Sequence, residues 1–134
     1  MTSTQREWRF GAIHLRLEPP DILWHKTTGF STFEDCVALM ALYQELGSQA
    51  PFFAVVDVSE ATSMDEETRR YVSEHSRPEW FAGYIYVRAR LLHKAMAKGI
   101  GLALRLAGRD APEAYFVSTE EEARALIARL RRGP

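Results

Sequence analysis

The sequence predicts one α/β domain with helices on the faces of a mixed, mostly parallel sheet. Its 134 residues fit a single domain, and no linker or internal repeat divides residues 1–134. Apolar runs typical of strands alternate with segments of helical periodicity. Strands separated by helices pair in parallel through right-handed crossovers, whereas two adjacent strands form an antiparallel hairpin. We therefore expect five strands and about four helices in the order β-β-α-β-α-β-α-β-α, with the hairpin first.

The first strands are predicted within residues 8–29. Residues 8–18 alternate between apolar and polar side chains, as a half-buried strand does, and a change of phase indicates a bulge near Gly11. Pro19-Pro20-Asp21 predicts a turn. The second strand, ILWHKTT, follows and is closed by Gly29.

A capped helix and a central strand come next. Residues 31–34, with the sequence STFE, form a capping-box pattern for a helix that extends to Gly47. Residues 51–58, PFFAVVDV, form a continuous apolar run, which is typical of a central strand covered on both faces. Residues 67–77 then predict a helix that stops before Pro78.

The C-terminal half predicts two more strands and two more helices. Residues 83–89, GYIYVRA, read as a buried strand, and residues 89–107 as the longest helix, ended by Gly108. Residues 113–118 are the last strand. Two overlapping capping boxes at Ser118 and Thr119 begin a final helix to Arg132, which is acidic at its start and basic at its end.

The composition is typical of a cytoplasmic globular protein. Its net charge of −1 argues against binding nucleic acid through overall charge. The single cysteine, Cys36, excludes an intramolecular disulfide and stands in an apolar helical pattern, where we expect an unreactive buried thiol. Residues 1–7 are polar, lack a signal-peptide pattern and are expected to be flexible. No apolar run reaches the ~20 residues of a membrane span.

The sequence contains no strong motif for a metal or a cofactor. The four histidines show no metal-ligand spacing with one another or with Cys36. His14 and His25, both on the predicted hairpin, are expected to face solvent. Gly99 and Gly101 lie inside a helical pattern rather than in a strand-to-helix turn, so they do not form a dinucleotide-binding loop. Close helix packing or a local weakness of the helix explains them better.

An acidic stretch follows the predicted central strand and contains Asp57, Glu60, Asp65, Glu66 and Glu67. As a calcium-binding EF-hand loop it fails, because Thr62 and Thr68 occupy the positions of the required glycine and glutamate. As an acid/base pair it lacks the apolar setting that raises the pKa of one carboxyl. Solvated acids at the start of a helix are the simpler interpretation.

A basic stripe follows the longest predicted helix. It comprises Arg90, Lys94, Lys98 and Arg105, with Arg109 just beyond the helix end. A solvated outer face is the simpler interpretation. The alternative is a docking surface for an acidic partner or for lipid headgroups.

The element order and several local patterns together resemble the SpoIIAA-like fold group, which includes STAS domains and lipid-binding SEC14-type relatives. The patterns are the hairpin LEPPDILWHKTTG, the capped helix after it, the strand end VVDVS and the helix start DEETRRY. The resemblance covers residues 8–132 and is closest to small stand-alone bacterial proteins of STAS/SEC14 type. It implies a SpoIIAA-like domain.

In the anti-sigma factor antagonists of this group, the segment after the third strand carries an Asp-Ser-Ser/Thr-Gly motif, and its serine is phosphorylated by a partner kinase. Aligned to that motif, this sequence has Asp65 at the aspartate, Glu66 and Glu67 at the hydroxyl positions and Thr68 at the glycine. The phosphoacceptor serine is absent, and a carboxylate in its place is similar to a permanently charged form. Ser63 and Thr68 remain as disfavoured substitute acceptors.

The favoured function is a non-enzymatic regulatory or protein-interaction module, monomeric or homodimeric, without cofactor or metal. Its expected partner-binding residues are Asp57, Thr62, Ser63, Asp65, Glu66 and Glu67. The alternative, implied by the SEC14-type relatives, is a carrier of a lipid or small apolar ligand. Its pocket is expected between Tyr84, Tyr86, Leu92, Met96 and Ile100. A hydrolase or transferase is disfavoured because no nucleophile–base pair can be named.

Overall fold

The computed structural model, which describes residues 6–62, 64–106, 108 and 114–133, contains one six-stranded sheet. The strands are β1 (Arg6–Phe10), β2 (Ile13–Glu18), β3 (Ile22–Gly29), β4 (Phe52–Ala61), β5 (Phe81–Val87) and β6 (Ala114–Val117). The helices are α1 (Phe33–Gln49), α2 (Glu66–His75), α3 (Leu91–Leu106) and α4 (Glu120–Arg131), with a short 3-10 turn at Pro78–Trp80.

The strands lie side by side in chain order. β1, β2 and β3 pair antiparallel, and β3 to β6 pair parallel. Each parallel pair is joined by a helix, as a right-handed crossover requires. The predicted α/β class, the mixed sheet and the antiparallel start are thus confirmed.

The sheet has six strands rather than five because the predicted strand over residues 8–18 is two strands. The chain reverses at Gly11 and Ala12, and Gly11 has φ +58°, a conformation that residues with a side chain rarely adopt. A Cβ atom at Gly11 would also lie 2.4 Å from Oδ1 of Asp35 at the start of α1. The change of phase that indicated a bulge therefore marks a hairpin turn.

Two apolar layers cover the two faces of the sheet. The first packs under α1 and α2 and includes the buried side chains Leu15, Leu23, Leu39, Tyr43, Ala54 and Val56. The second packs under α4 and includes Phe53, Val55, Ile85, Leu126 and Ile127. β4 contributes alternate residues to both layers, which confirms it as a central strand covered on both faces.

The cap of α1 forms one residue later than predicted. The side chain of Thr32 accepts a hydrogen bond from the backbone N–H of Asp35, and Asp35 Oδ2 accepts one from the backbone N–H of Thr32, each at 3.1 Å. The helix continues past Gly47, where a Cβ atom would lie 2.4 Å from Cβ of Trp80. Gly47 therefore permits a close contact rather than ending the helix.

The last helix begins as predicted. The Thr119 hydroxyl accepts from the backbone N–H of Glu122 at 3.1 Å, and the Glu122 carboxylate accepts from the backbone N–H of Ser118 at 2.7 Å. Its acidic first turn and basic last turn complement the helix dipole. Across the described ranges, no helix is long and apolar enough to cross a bilayer.

Candidate functional site

The acidic stretch is divided among three structural elements, which together we call the β4–α2 segment (residues 57–68). β4 continues beyond its predicted end at Val58 to Ala61, and α2 begins at Glu66. Thr62, Met64 and Asp65 form the connection, which the backbone N–H of Thr62 ties to the carbonyl of Gly29 at 3.0 Å. Ser63 lies outside the described residues.

Asp57 is separated from the other predicted partner-binding residues. It alternates with Val55 and therefore lies on the α4 face of the sheet, where it forms a 2.7 Å ion pair with Arg88. Burial alone raises the pKa of Asp57, but hydrogen bonds from Arg88 and Ser59 outweigh it and hold that pKa below its usual range. Asp57 thus links the ends of two strands.

Asp65, Glu66 and Glu67 lie together at the N-terminus of α2. Asp65 is the N-cap, and its Oδ1 accepts a hydrogen bond from the backbone N–H of Thr68 at 2.9 Å. Glu66 and Glu67 are exposed in the first turn, where the helix dipole favours negative charge. Thr68 is fully buried, so its hydroxyl is not accessible to a kinase.

A cavity of about 120 Å³ lies between the sheet, α1, α2 and the β4–α2 segment. Its wall is formed by Ile13, His25, Thr27, Ser31, Cys36, Leu39, Met40, Val56, Val58, Ala61, Thr62, Met64, Val72, Tyr84 and Tyr86. Two of these residues, Tyr84 and Tyr86, also belong to the ligand pocket predicted under the longest helix, and that pocket stays a prediction. The side chains of Leu92, Met96 and Ile100 lie outside the described residues.

A chain of hydrogen-bonding groups runs along one wall of this cavity. His25 contacts the Thr27 hydroxyl through Nε2 at 2.9 Å and the Tyr43 hydroxyl through Nδ1 at 3.2 Å. The hydroxyls of Tyr43 and Tyr84 lie 3.4 Å apart. The prediction that His25 faces solvent is wrong, because His25 pairs with buried Leu15 in the hairpin and points into the α1 layer.

Burial keeps the ionisable groups of the cavity uncharged near neutral pH. It lowers the pKa of His25 to about 4 and raises the pKa of the Cys36 thiol to about 11. It also raises the pKa of the part-buried phenols Tyr84 and Tyr86 well above the ordinary value. The prediction that Cys36 is a buried thiol is confirmed. A thiol held in its neutral form is a poor nucleophile.

The predicted basic stripe only partly follows α3. Arg90 precedes the helix, and its guanidinium lies 3.5 Å from the carbonyl of Ala61. Lys94 lies over the ring of Phe116 at 5.7 Å, whereas Lys98 and Arg105 are exposed. Exposed leucines share this helix: Leu91, Leu102 and Leu106. Arg109 lies outside the described residues.

Gly99 does not serve close helix packing. It is exposed, and a Cβ atom there would meet no atom of the described residues within 4 Å beyond its own stretch of helix backbone. The local weakness that a mid-helix glycine introduces is the interpretation that remains.

In the part of the chain that the structure describes, no three His, Cys, Asp or Glu side chains come close enough to hold a metal ion. The hydrogen-bonded chain from Thr27 to Tyr84 was not predicted from the sequence. A weak signal was present: His25 shares its strand phase with Leu23 and Thr27, and those positions face the core.

The mixed sheet in chain order, with helices on both of its faces, has a SpoIIAA-like α/β fold. The anti-sigma factor antagonist SpoIIAA, solved in its unphosphorylated form, is similar to this chain with a TM-score of 0.60 and 14% identity, over 90% of this chain and 98% of SpoIIAA. An uncharacterised DUF3478 protein with a SpoIIAA-like fold from Shewanella loihica PV-4 is similar with a TM-score of 0.55 and 18% identity, over 94% and 97% of the two chains. No family model and no curated protein matches the sequence.

Proposed function

We propose that this protein is a non-enzymatic, cytoplasmic protein-interaction module that binds a partner through the β4–α2 segment. The observation that carries the proposal is the exposed cluster of Asp65, Glu66 and Glu67 at the N-terminus of α2. The similarity of the fold to an anti-sigma factor antagonist solved in its unphosphorylated form supports a regulatory role.

The chemistry of the cluster selects a basic partner surface. Glu66 keeps 81% of its side chain exposed, and its ion pair with Arg70 is long, at 3.7 Å. Both carboxylates of the first turn are therefore available to arginine or lysine side chains of another protein. Because the charge belongs to glutamates, the interaction does not depend on a kinase. Thr62 is also exposed and belongs to the proposed surface, whereas Asp57 lies on the other face of the sheet and does not.

Charge reversal tests the proposal. The Glu66→Lys/Glu67→Lys protein and the wild type, each carrying a photo-crosslinker at the position of Arg70, are compared in cells by mass spectrometry of the adducts. A Glu120→Lys/Glu121→Lys protein is the matched control, because those acids occupy the same first-turn positions of α4. We expect one defined adduct in the wild type and the control that disappears on reversal at Glu66 and Glu67. The same adduct in all three proteins would contradict the proposal.

An Asp65→Asn variant separates the charge of the cluster from its structure. Asparagine keeps the N-cap of α2 and removes one carboxylate. We expect thermal unfolding slightly below that of the wild type, because the helix dipole favours the lost charge, together with a weaker adduct.

A second candidate function, carriage of a small apolar ligand, is favoured by the cavity beside the β4–α2 segment. The cavity of about 120 Å³ falls below the ~300–1,000 Å³ of ordinary ligand pockets. It therefore favours a compact ligand over the lipid that the SEC14-type relatives suggest. Native mass spectrometry of freshly purified protein tests this choice. A co-purified lipid would contradict the preference for a compact ligand. The mass of the protein alone, or of the protein with a small adduct, agrees with that preference.

A further inference from the structure

The cavity under the β4–α2 segment has a wall without charge. No lysine, arginine, aspartate or glutamate stands among the described residues that line it. Its histidine and cysteine are held neutral by burial. Moving an ion from water into such a site is costly unless an opposite charge meets it. A molecule that fits this cavity is therefore uncharged.

The volume sets the size of that molecule. An apolar cavity of about 150 Å³ accepts benzene, and this cavity measures about 120 Å³. Leu39, Met40, Val56 and Val72 supply an apolar wall, and the sulfur-containing Met40 and Met64 side chains adapt to the shape of a ligand. The body of the ligand is a single ring or a branched chain of similar size.

The hydrogen-bonded chain indicates which polar group the ligand carries. Thr27, His25, Tyr43 and Tyr84 are linked by three contacts, and the Tyr84 hydroxyl also hydrogen-bonds with the Tyr86 hydroxyl. Each of the five groups has one hydrogen to donate when the imidazole is neutral. Four links use four hydrogens, so the chain itself leaves one hydrogen without an acceptor. Both ends of the chain, Thr27 and Tyr86, line the cavity. An oxygen atom on a ligand satisfies that remaining donor.

We infer that this cavity binds a compact, uncharged molecule with an apolar body of about the size of a benzene ring and one oxygen atom, held by the hydroxyl of Thr27 or Tyr86. Phenol is the simplest probe of this class. The inference rests on the small-ligand function proposed above and adds the polar anchor and the exclusion of charge.

Three probes of similar size test the inference: phenol, benzene and benzoate. Their binding to the wild-type protein is measured by titration calorimetry and by amide chemical shifts. We expect saturable binding of phenol, weaker binding of benzene and none of benzoate, with shifts centred on Val56, Val58 and Ala61. Benzoate binding as tight as that of phenol would overturn the exclusion of charged ligands. If neither phenol nor benzene binds, both this inference and the small-ligand function are wrong.

Two variants test the polar anchor separately. Thr27→Val and Tyr86→Phe each remove the hydroxyl at one end of the chain while nearly keeping the side-chain volume. We expect at least one of them to weaken the binding of phenol about fivefold, which is the effect of one hydrogen bond. We expect neither of them to change the binding of benzene. Unchanged phenol binding in both folded variants would overturn the anchor while leaving an apolar site. Val72→Phe fills the cavity and is expected to abolish binding of both probes.

Discussion

Arg88 donates a hydrogen bond to the carboxylate of Asp57 at 2.7 Å and thereby joins the ends of two neighbouring parallel strands. Arg88 has φ +57°, in the left-handed region that residues other than glycine rarely adopt. Its backbone N–H also donates to the carbonyl of Val117 at 3.0 Å. The ends of β4, β5 and β6 are therefore connected through one residue whose backbone is strained.

The strain at Arg88 is testable with two substitutions. Arg88→Ala removes the ion pair and keeps the unfavourable backbone, whereas Arg88→Gly removes the ion pair and relaxes the backbone. We expect the alanine variant to be less stable than the glycine variant by about 1 kcal/mol. Urea unfolding measures the difference, and equal stability of the two variants would contradict a left-handed conformation at this position.

Stability is expected to depend on pH through His25. The pKa of His25 is lowered to about 4, below the ~6.5 of an unfolded chain. Between these values the unfolded state binds more protons, so the free energy of unfolding decreases as pH falls through this window. The decrease attributable to His25 between pH 7 and pH 5 is about 2 kcal/mol. Denaturant unfolding across this range measures it.

The controls for that pH dependence are two glutamine variants. His25→Gln is expected to lose the steep part of the dependence, since its side chain does not titrate. His14→Gln is expected to retain it, because His14 lies on the part-exposed face of β2. A wild-type slope in the His25→Gln protein would contradict a neutral buried imidazole.

Substitution of glycine by alanine is expected to change stability in opposite directions at two helix positions. At Gly47 an added Cβ atom meets Trp80 at 2.4 Å, so Gly47→Ala is expected to destabilise the protein by about 1–3 kcal/mol. At Gly99 the added Cβ atom meets no atom of the described residues beyond its own stretch of helix backbone. Gly99→Ala is therefore expected to stabilise the protein by about 0.5–1 kcal/mol. Thermal and urea unfolding of both variants test the pair. A change of the same sign at both sites would contradict the packing described for α1.

The lysines Lys94 and Lys98 of α3 are expected to bind anionic lipid surfaces, because the exposed leucines Leu91, Leu102 and Leu106 lie on the same helix. Lys94→Glu/Lys98→Glu is expected to reduce sedimentation with phosphatidylserine vesicles at least several-fold. An Arg129→Glu/Arg132→Glu protein, changed at exposed positions in and just after the last turn of α4, controls for net charge. Equal sedimentation of the two variants would show that α3 provides only a solvated surface.

Several features of the site depend on contacts between distant segments and could not be predicted. Asp57 reads as a member of an acidic cluster, yet β-strand alternation places it on the other face of the sheet, where Arg88 pairs with it. His25 reads as an exposed hairpin residue, yet α1 covers it with Tyr43. In both cases the deciding partner is more than ten residues away in the chain, and no local pattern encodes it.

The sequence by itself determined the class of the fold, because strand and helix periodicity, turn residues and caps act over only a few neighbouring residues. It also determined the acidic start of α2, where Asp65 caps the helix and its glutamates follow. The tertiary structure alone decided the division of the first strand at Gly11, the ion pair of Asp57 and the cavity with its hydrogen-bonded chain. These features arise when helices pack on the sheet, since only packing brings side chains from separate elements into contact and removes them from water.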